Sequence, residues 1–350
     1  MHPLPTMKRS AHSYWALVSL VTVAAFGCTS ETVHVPGAAA AAPGTAPTTP
    51  KSPGDPEIPP PDWAMSAVPD DVVALSCPTD AGVYAATATG IFHYGGTMWS
   101  RVVEGNFESV HLESATNGFA VGEGRMVQLD GDVWSEVGVH ASWKMHSVYT
   151  QSDGAFVAGD GFDHLGADLL ALPSVIFVKR ATLDIRMDLS FGGRNENPGP
   201  ATLVTGAGAW VSASGASIIG QLENGVWRSV RGITDIKRKS MVVVGSSLFA
   251  TDGKDIRGIS LNATPEVQSN QGGNVVPEGA PAIAALVAAR QGRLVAVGEQ
   301  GFVWVYTVGT GKSKTLDPPP AGSLTAGCTT SDGHLWVSAG PRVFRRTAAL

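Results

Sequence analysis

The densest group of chemically capable side chains is the run GDGFDHLGADLL, with Asp160, Asp163, His164 and Asp168 inside twelve residues. Carboxylates and an imidazole on one loop are donors for a hard cation. The run lacks EF-hand spacing, so a solvated loop is the plainer reading, and Asp163 and His164 stand as binding candidates without a metal assigned. Its apolar tail, Leu169–Leu172, suits a short helix or a contact surface. His93, His111, His140, His146 and His334 are spread along the chain. They serve a common centre only where strands converge; otherwise each satisfies nearby backbone. Most tryptophans read as core, but Trp143, Trp304 and Trp336 are candidates to lie on a face and bind sugar or peptide. The glycine runs GAGAW and VGEGR lack the Lys-Ser/Thr of a phosphate loop and the strand-to-helix context of a dinucleotide site, which leaves turn glycines. DIKRKS, Asp235–Ser240, is the one basic cluster and reads as a solvated turn. No catalytic constellation, metal site or cofactor motif emerges.

These side chains need a scaffold, and composition limits which. Of 350 residues 42 are glycine, and only 15% are charged. Usual values are about 7% and about 25%, and many turns with few solvated helix faces give this balance. Net charge is −6. Nucleic acid is therefore excluded as a partner, because phosphate backbones need clustered Lys and Arg. The three cysteines, Cys28, Cys77 and Cys328, have no zinc-type spacing.

The N-terminal region reads as an address. Lys8 and Arg9 precede an apolar run, Tyr14 to Phe26, that ends at Gly27-Cys28. That is the layout of an export signal, too short for a helix of about 20 residues that spans a bilayer. Ala25-Phe26-Gly27-Cys28 resembles the lipobox of bacterial lipoproteins, which implies cleavage after residue 27 and lipidation of Cys28. Thr29 after the cysteine, rather than Asp, implies the outer membrane by the same analogy. An ordinary secretory signal, with Cys28 a bystander, is the alternative. Residues 28–61 then form a tether. Nine of the 26 residues from Pro36 to Pro61 are proline, a composition that cannot bury a core.

Residues 62–350 repeat one unit. Asn106–Val137 shows it: four short strands separated by turns, the last entered through Asp130-Gly131 and carrying Trp134. Trp63, Trp99 and Trp134 are spaced 36 and 35 residues apart, and Trp227 marks another copy. Asn-Gly and Asp-Gly before such strands suit hairpin turns. Four strands per period of about 40 residues is the signature of a β-propeller. Seven units can be placed, with six or eight as alternatives because the third and fifth are irregular. The expected fold is an all-β, single seven-bladed propeller of four-stranded blades. The last unit has only three strands at the C-terminus, and Asp62–Val68 has the missing outer-strand pattern, so the N-terminal strand should close the last blade. Cys77 and Cys328 each stand five residues before a glycine, in the first and last units that closure makes neighbours. Export favours disulfides, so a Cys77–Cys328 bridge is expected, two buried thiols being the alternative.

The hairpins GFAVGEGRMVQLDGDVW and RLVAVGEQGFVWVY resemble the sialidase-like (BNR) and photosystem II assembly-factor-like bacterial propellers, over Asp62 to Leu350. The resemblance implies the fold. It carries no activity across, since the arginine triad and Tyr–Glu pair of a sialidase have no counterpart here. The functional expectation is a monomeric outer-membrane lipoprotein, bound to the membrane by its lipid. Its propeller would be a non-catalytic binding or scaffold module for an envelope protein or glycan. A propeller hydrolase or lyase acting on glycan or peptide is the alternative, and an envelope spacer the blandest one.

Overall fold

The computed structural model of the chain describes residues 62–78, 82–160, 162, 175–186, 202–207, 210–214, 219–223, 226–230, 239–262 and 273–350. Cys28, the tether, Asp163, His164 and Asp168 lie outside the described residues.

Strand β1 (Trp63–Ala67) comes first. Blade 1 follows as β2 (Val72–Ser76), β3 (Val83–Thr87), β4 (Gly90–Tyr94) and β5 (Trp99–Glu104), and blade 2 as β6 (Ser109–Ser114), β7 (Asn117–Gly122), β8 (Arg125–Asp130) and β9 (Val133–Val137). Blade 3 is β10 (Lys144–Gln151), β11 (Gly154–Asp160), β12 (Val175–Lys179) and a two-residue β13 (Ile185–Arg186). Blade 4 is β14 (Leu203–Ala207), β15 (Trp210–Ser214), β16 (Ile219–Glu223) and β17 (Val226–Val230). Blade 5 has β18 (Ser240–Val244), β19 (Ser247–Thr251) and β20 (Ile256–Ser260); its expected fourth strand, Glu266–Gln268, is outside the described residues. Blade 6 is β21 (Ile283–Ala289), β22 (Arg293–Gly298), β23 (Val303–Thr307) and β24 (Ser313–Thr315). Blade 7 holds β25 (Ala326–Thr329), β26 (Leu335–Ala339) and β27 (Arg342–Arg346). Every strand pairs antiparallel with the next in its blade, and β1 completes blade 7 in the order β1-β27-β26-β25. The result is a seven-bladed propeller of four-stranded antiparallel sheets.

Burial explains the sequence pattern. A second strand has neighbours on both sheet faces, so β3, β7 and β26 are buried throughout. Outer strands such as β5 and β9 are largely exposed. The core is therefore seven separate apolar layers, one at each junction of consecutive blades, including blade 7 against blade 1. The inner strands touch in a closed circle, β2 to β6, β10, β14, β18, β21, β25 and back to β2. Short side chains stitch that circle. Ser76 Oγ accepts from Leu112 N (2.9 Å), Ser147 Oγ from Val204 N (3.2 Å), Ser240 Oγ from Leu286 N (2.9 Å), and Thr329 Oγ1 donates to Ala288 O (2.6 Å). Each contributes about 1 kcal/mol net.

Two devices close the ring. Strand β1 pairs with β27 from Trp63 opposite Arg346 to Ala67 opposite Arg342. Trp63 is buried between blades 6 and 7, and its indole N–H donates to Asp317 O at 3.0 Å. A Cys77–Cys328 disulfide joins the ends of the inner strands of blades 1 and 7. The inner strands converge enough to bring the two Cα atoms to 5.8 Å, inside the range a disulfide spans.

Candidate functional site

In an antiparallel four-stranded blade, the inner strand begins, the second ends, the third begins and the outer strand ends at one end. That end defines an upper face, which carries the blade-to-blade connections. The other end is the lower face.

The start of the inner strands on the upper face is built the same way in four blades. The register slips between Val72 and Ala74, Met145 and Ser147, and Ile283 and Ala285, which leaves Val73, His146 and Ala284 as the extra residues. In blade 2, Ser109 pairs with Val121, while the preceding Glu108 N–H also donates to Val121 O at 2.8 Å. The residue before each bulge is buried: Val72, Phe107, Met145 and Ile283. Val73, Glu108, His146 and Ala284 thus hold one repeat position. A bulge bends its strand and re-aims a side chain; here Val73 is left 49% exposed.

Two of these side chains, Glu108 and His146, meet, and Asp160 from the end of β11 joins them. His146 Nδ1 lies 2.7 Å from Glu108 Oε2, and Nε2 lies 3.7 Å from Asp160 Oδ2. An ionised carboxylate only accepts, so Nδ1 carries the proton shared with Glu108. All three side chains are partly open to solvent. Asp160 is the last residue of β11 and follows Gly159. A Cβ on Gly159 would stand 2.2 Å from Lys144 O, and one on Gly298 would stand 2.0 Å from Ala282 O. Gly122 is the same position in blade 2, 2.3 Å from Asn106 O. The run VGEGR is thus a close backbone approach rather than a phosphate cradle; GAGAW lies partly outside the described residues. The acid after each of these glycines, Glu123, Asp160 and Glu299, falls on the upper face. Asp71 and Asp252 stand at other strand ends there.

The expected aromatic platforms are not at the surface. Trp143, Trp304 and Trp336 are each 1% exposed. Trp143 packs edge-on against Phe162 (5.1 Å between centroids), Trp304 stacks on Tyr306 (5.5 Å), and Trp336 meets Tyr94 edge-on (5.1 Å). Each fills an apolar layer between blades or packs against one. Their size made them more useful there than on a face, and the reading of these three as ligand platforms is corrected.

The five histidines do not converge. His93 stacks on Tyr84 (4.5 Å), and His140 Nδ1 bonds Ser142 Oγ (2.8 Å). His334 Nδ1 donates to Arg346 O (3.0 Å). His111 Nδ1 accepts from Thr150 N–H (3.0 Å), the ring packs against Tyr149 (4.8 Å), and burial lowers its pKa to about 4. It is a neutral structural stitch between the inner strands of blades 2 and 3. Among the described residues, no group of three His, Cys, Asp or Glu side chains is placed to hold a metal ion.

The sequence reading missed Glu108 and placed His146 among scattered residues. Its available signal was the shared repeat position: each follows the buried apolar residue that opens an inner strand, Phe107 or Met145.

No protein-family profile and no curated protein matches the chain in sequence. Solved structures do match in fold. YCF48 bound to D1 peptide is 13% identical with a TM-score of 0.61, over 82% of this chain and 97% of that one. The WD40 β-propeller domain of Doa1 is 14% identical with a TM-score of 0.59, over 81% of this chain and 94% of that one. The extracellular domain of the putative one-component system BT4673 from B. thetaiotaomicron is 10% identical with a TM-score of 0.61, over 81% of this chain and 39% of that one. At these identities the likeness is one of fold, and it places the chain among β-propellers.

Proposed function

We propose that the chain is an outer-membrane lipoprotein, acylated at Cys28 and held by residues 28–61. Its propeller acts as a monomeric, non-catalytic recognition module for a protein segment carrying basic residues. The observation that carries this reading is the group of Glu108 and His146, from the starts of neighbouring inner strands, with Asp160 from the end of β11, on the upper face that also carries exposed Val73. Carboxylates at strand ends suit a Lys- or Arg-bearing peptide, whose charge steers encounter. A protein is favoured over a glycan because Trp143, Trp304 and Trp336 are buried and offer no stacking surface. A propeller of similar fold has been captured with a peptide.

The test is fluorescence anisotropy with a panel of basic, neutral and acidic peptides against the wild type and the Glu108→Gln, Asp160→Asn double variant. Basic peptides should bind best, and the double variant should lose about tenfold or more, as expected for paired charges at an interface. Equal binding of basic and acidic peptides, or a double variant as good as wild type, sinks the reading. Mass spectrometry of the exported protein checks the anchor separately, through a diacylglyceryl group on Cys28.

A further inference from the structure

The lower face carries a cleft of about 370 Å³ where blade 6 meets blade 7, the volume of a small-molecule site. Its walls hold Arg293, Lys312, Lys314 and Arg346 above an apolar floor that includes Val305 and Leu316. Strand register shows how this arises. Arg293 pairs with Thr307, and Val305 pairs with Lys314. Side chains alternate along a strand, so Arg293, Val305, Thr307 and Lys314 share one side of the blade 6 sheet, and Lys312 and Leu316 continue the alternation at the ends of β24. Leu316 is buried in the layer with Trp63 and Phe344, which identifies that side as the one facing blade 7. Arg346 comes from the opposite wall, at the end of β27.

Single arginines border other blade-facing sides, as Arg125 does over Phe107 and Arg345 over Trp336. Here one side presents three cations, and a fourth meets them, in a chain with more acids than bases. The ion pairs seen among the described residues include those of Arg125, Arg180, His146 and His334, and none of these involves the four cleft cations. Arg293 and Arg346 are partly buried, and Lys312 and Lys314 are exposed. The side-chain hydrogen bonds of the two arginines are to Gln291 Oε1 (2.7 Å) and Ala348 O (3.3 Å). A guanidinium has five N–H donors, so most remain for a ligand. The cleft also adjoins the point where the N-terminal segment joins the propeller: Asp62 O accepts from Thr347 N at 2.8 Å, one residue past Arg346.

We infer that this cleft is an anion site that takes the phosphate of a lipid headgroup, with Val305 and Leu316 against the glycerol end of the lipid. Four cations match a phosphate in a way that a neutral glycan or a cationic peptide does not. The lipid source draws on the proposed membrane anchor, and the cleft lies on the face opposite the Glu108–His146–Asp160 group.

The experiment uses residues 29–350 without lipid; Trp63–Arg346 contains every strand described, so the fold is retained. Binding is measured by co-sedimentation with phosphatidylcholine vesicles, with and without added phosphatidylglycerol. Inorganic phosphate and glycerol phosphate serve as soluble competitors. Lys312→Gln with Lys314→Gln should weaken binding to the anionic vesicles about thirtyfold, the product of two charges near such a surface. The exposed pair Lys254→Gln with Arg342→Gln makes the same change of charge on the upper face and should cost under about threefold. Arg346→Gln provides a second variant, and circular dichroism confirms folding of each. Equal losses for the two pairs would mean diffuse attraction and overturn the site. Saturation by glycerol phosphate with no vesicle binding would make it a site for soluble anions and overturn the lipid assignment. Either failure leaves the peptide measurements on the upper face untouched.

Discussion

Removing the Cys77–Cys328 bridge should test how the ring is held shut. The bridge closes a loop with a sequence separation of 251 residues. In the chain-entropy account, a loop of that length removes unfolded-state freedom worth about 5 kcal/mol, a ceiling that measured disulfides usually fall short of. A working range of about 2–5 kcal/mol shifts the melting temperature of a domain this large by about 3–8 °C. Both sulfurs are buried in the layer between blades 7 and 1, so Ala is a better replacement than Ser, which would bury an unpaired hydroxyl. The assay is thermal unfolding of the wild type with and without reductant, beside the Cys77→Ala, Cys328→Ala variant. The bridge and β1 act on the same closure, one between blades 7 and 1 and the other within blade 7. Deleting residues 62–67 in the reduced protein should therefore cost more than the two separate losses added together, since either device alone keeps the ring closed. Reduction that leaves the transition unmoved, with the double variant melting at the wild-type temperature, would refute the argument.

Other expectations concern the layers and strand ends. His111 has its pKa lowered to about 4 by burial, against 6.5 for the free group. Its contribution is complete above pH 6.5 and is lost as the pH falls toward 4, by about 1.4 kcal/mol per pH unit. Denaturant titrations across that window should show the slope, and His111→Asn should flatten it. Trp304→Ala should cost about 3–5 kcal/mol in the same titrations, as for other buried tryptophans, while Met98→Ala at an exposed turn should change stability by under about 0.5 kcal/mol. Gly159→Ala drives a methyl against the Lys144 carbonyl and should destabilise by about 1–3 kcal/mol. Gly138→Ala, with open space around it, should be near neutral by the same measurement.

The fold was legible because a propeller writes its geometry into spacing. Trp63, Trp99 and Trp134 recur at nearly constant intervals since each occupies an outer strand. The apolar runs Val83–Ala86 and Gly118–Val121 are continuous since second strands are covered on both sides. Even the closing strand could be read, because a three-stranded remainder at one end and a lone outer-strand pattern at the other fit together. The weak places were those where an element is short or local patterning fails. The third unit reads as irregular, and within its described residues the outer strand β13 is only Ile185–Arg186.

The site residues were harder to read for a reason that applies to any radial repeat. Chemistry in a propeller comes from residues one blade apart, so Glu108 and His146 are 38 positions apart in sequence yet hydrogen-bonded. Arg293 meets Arg346 only because blade 6 leans on blade 7. A search for local motifs favours a loop such as Asp160 to Asp168 and passes over both groups. Residue type misled as well. Tryptophan is prized as a binding platform, but a large flat side chain also fills the wedge between two twisted sheets, and Trp143, Trp304 and Trp336 do that. The useful search aligns the blades by their buried opening residues, Val72, Phe107, Met145 and Ile283, and looks for charge at the next position. Read that way, the acid and the histidine in blades 2 and 3 stand out against the valine and alanine in blades 1 and 6. That contrast breaks the symmetry of the ring and marks the sector of the upper face where binding should be sought.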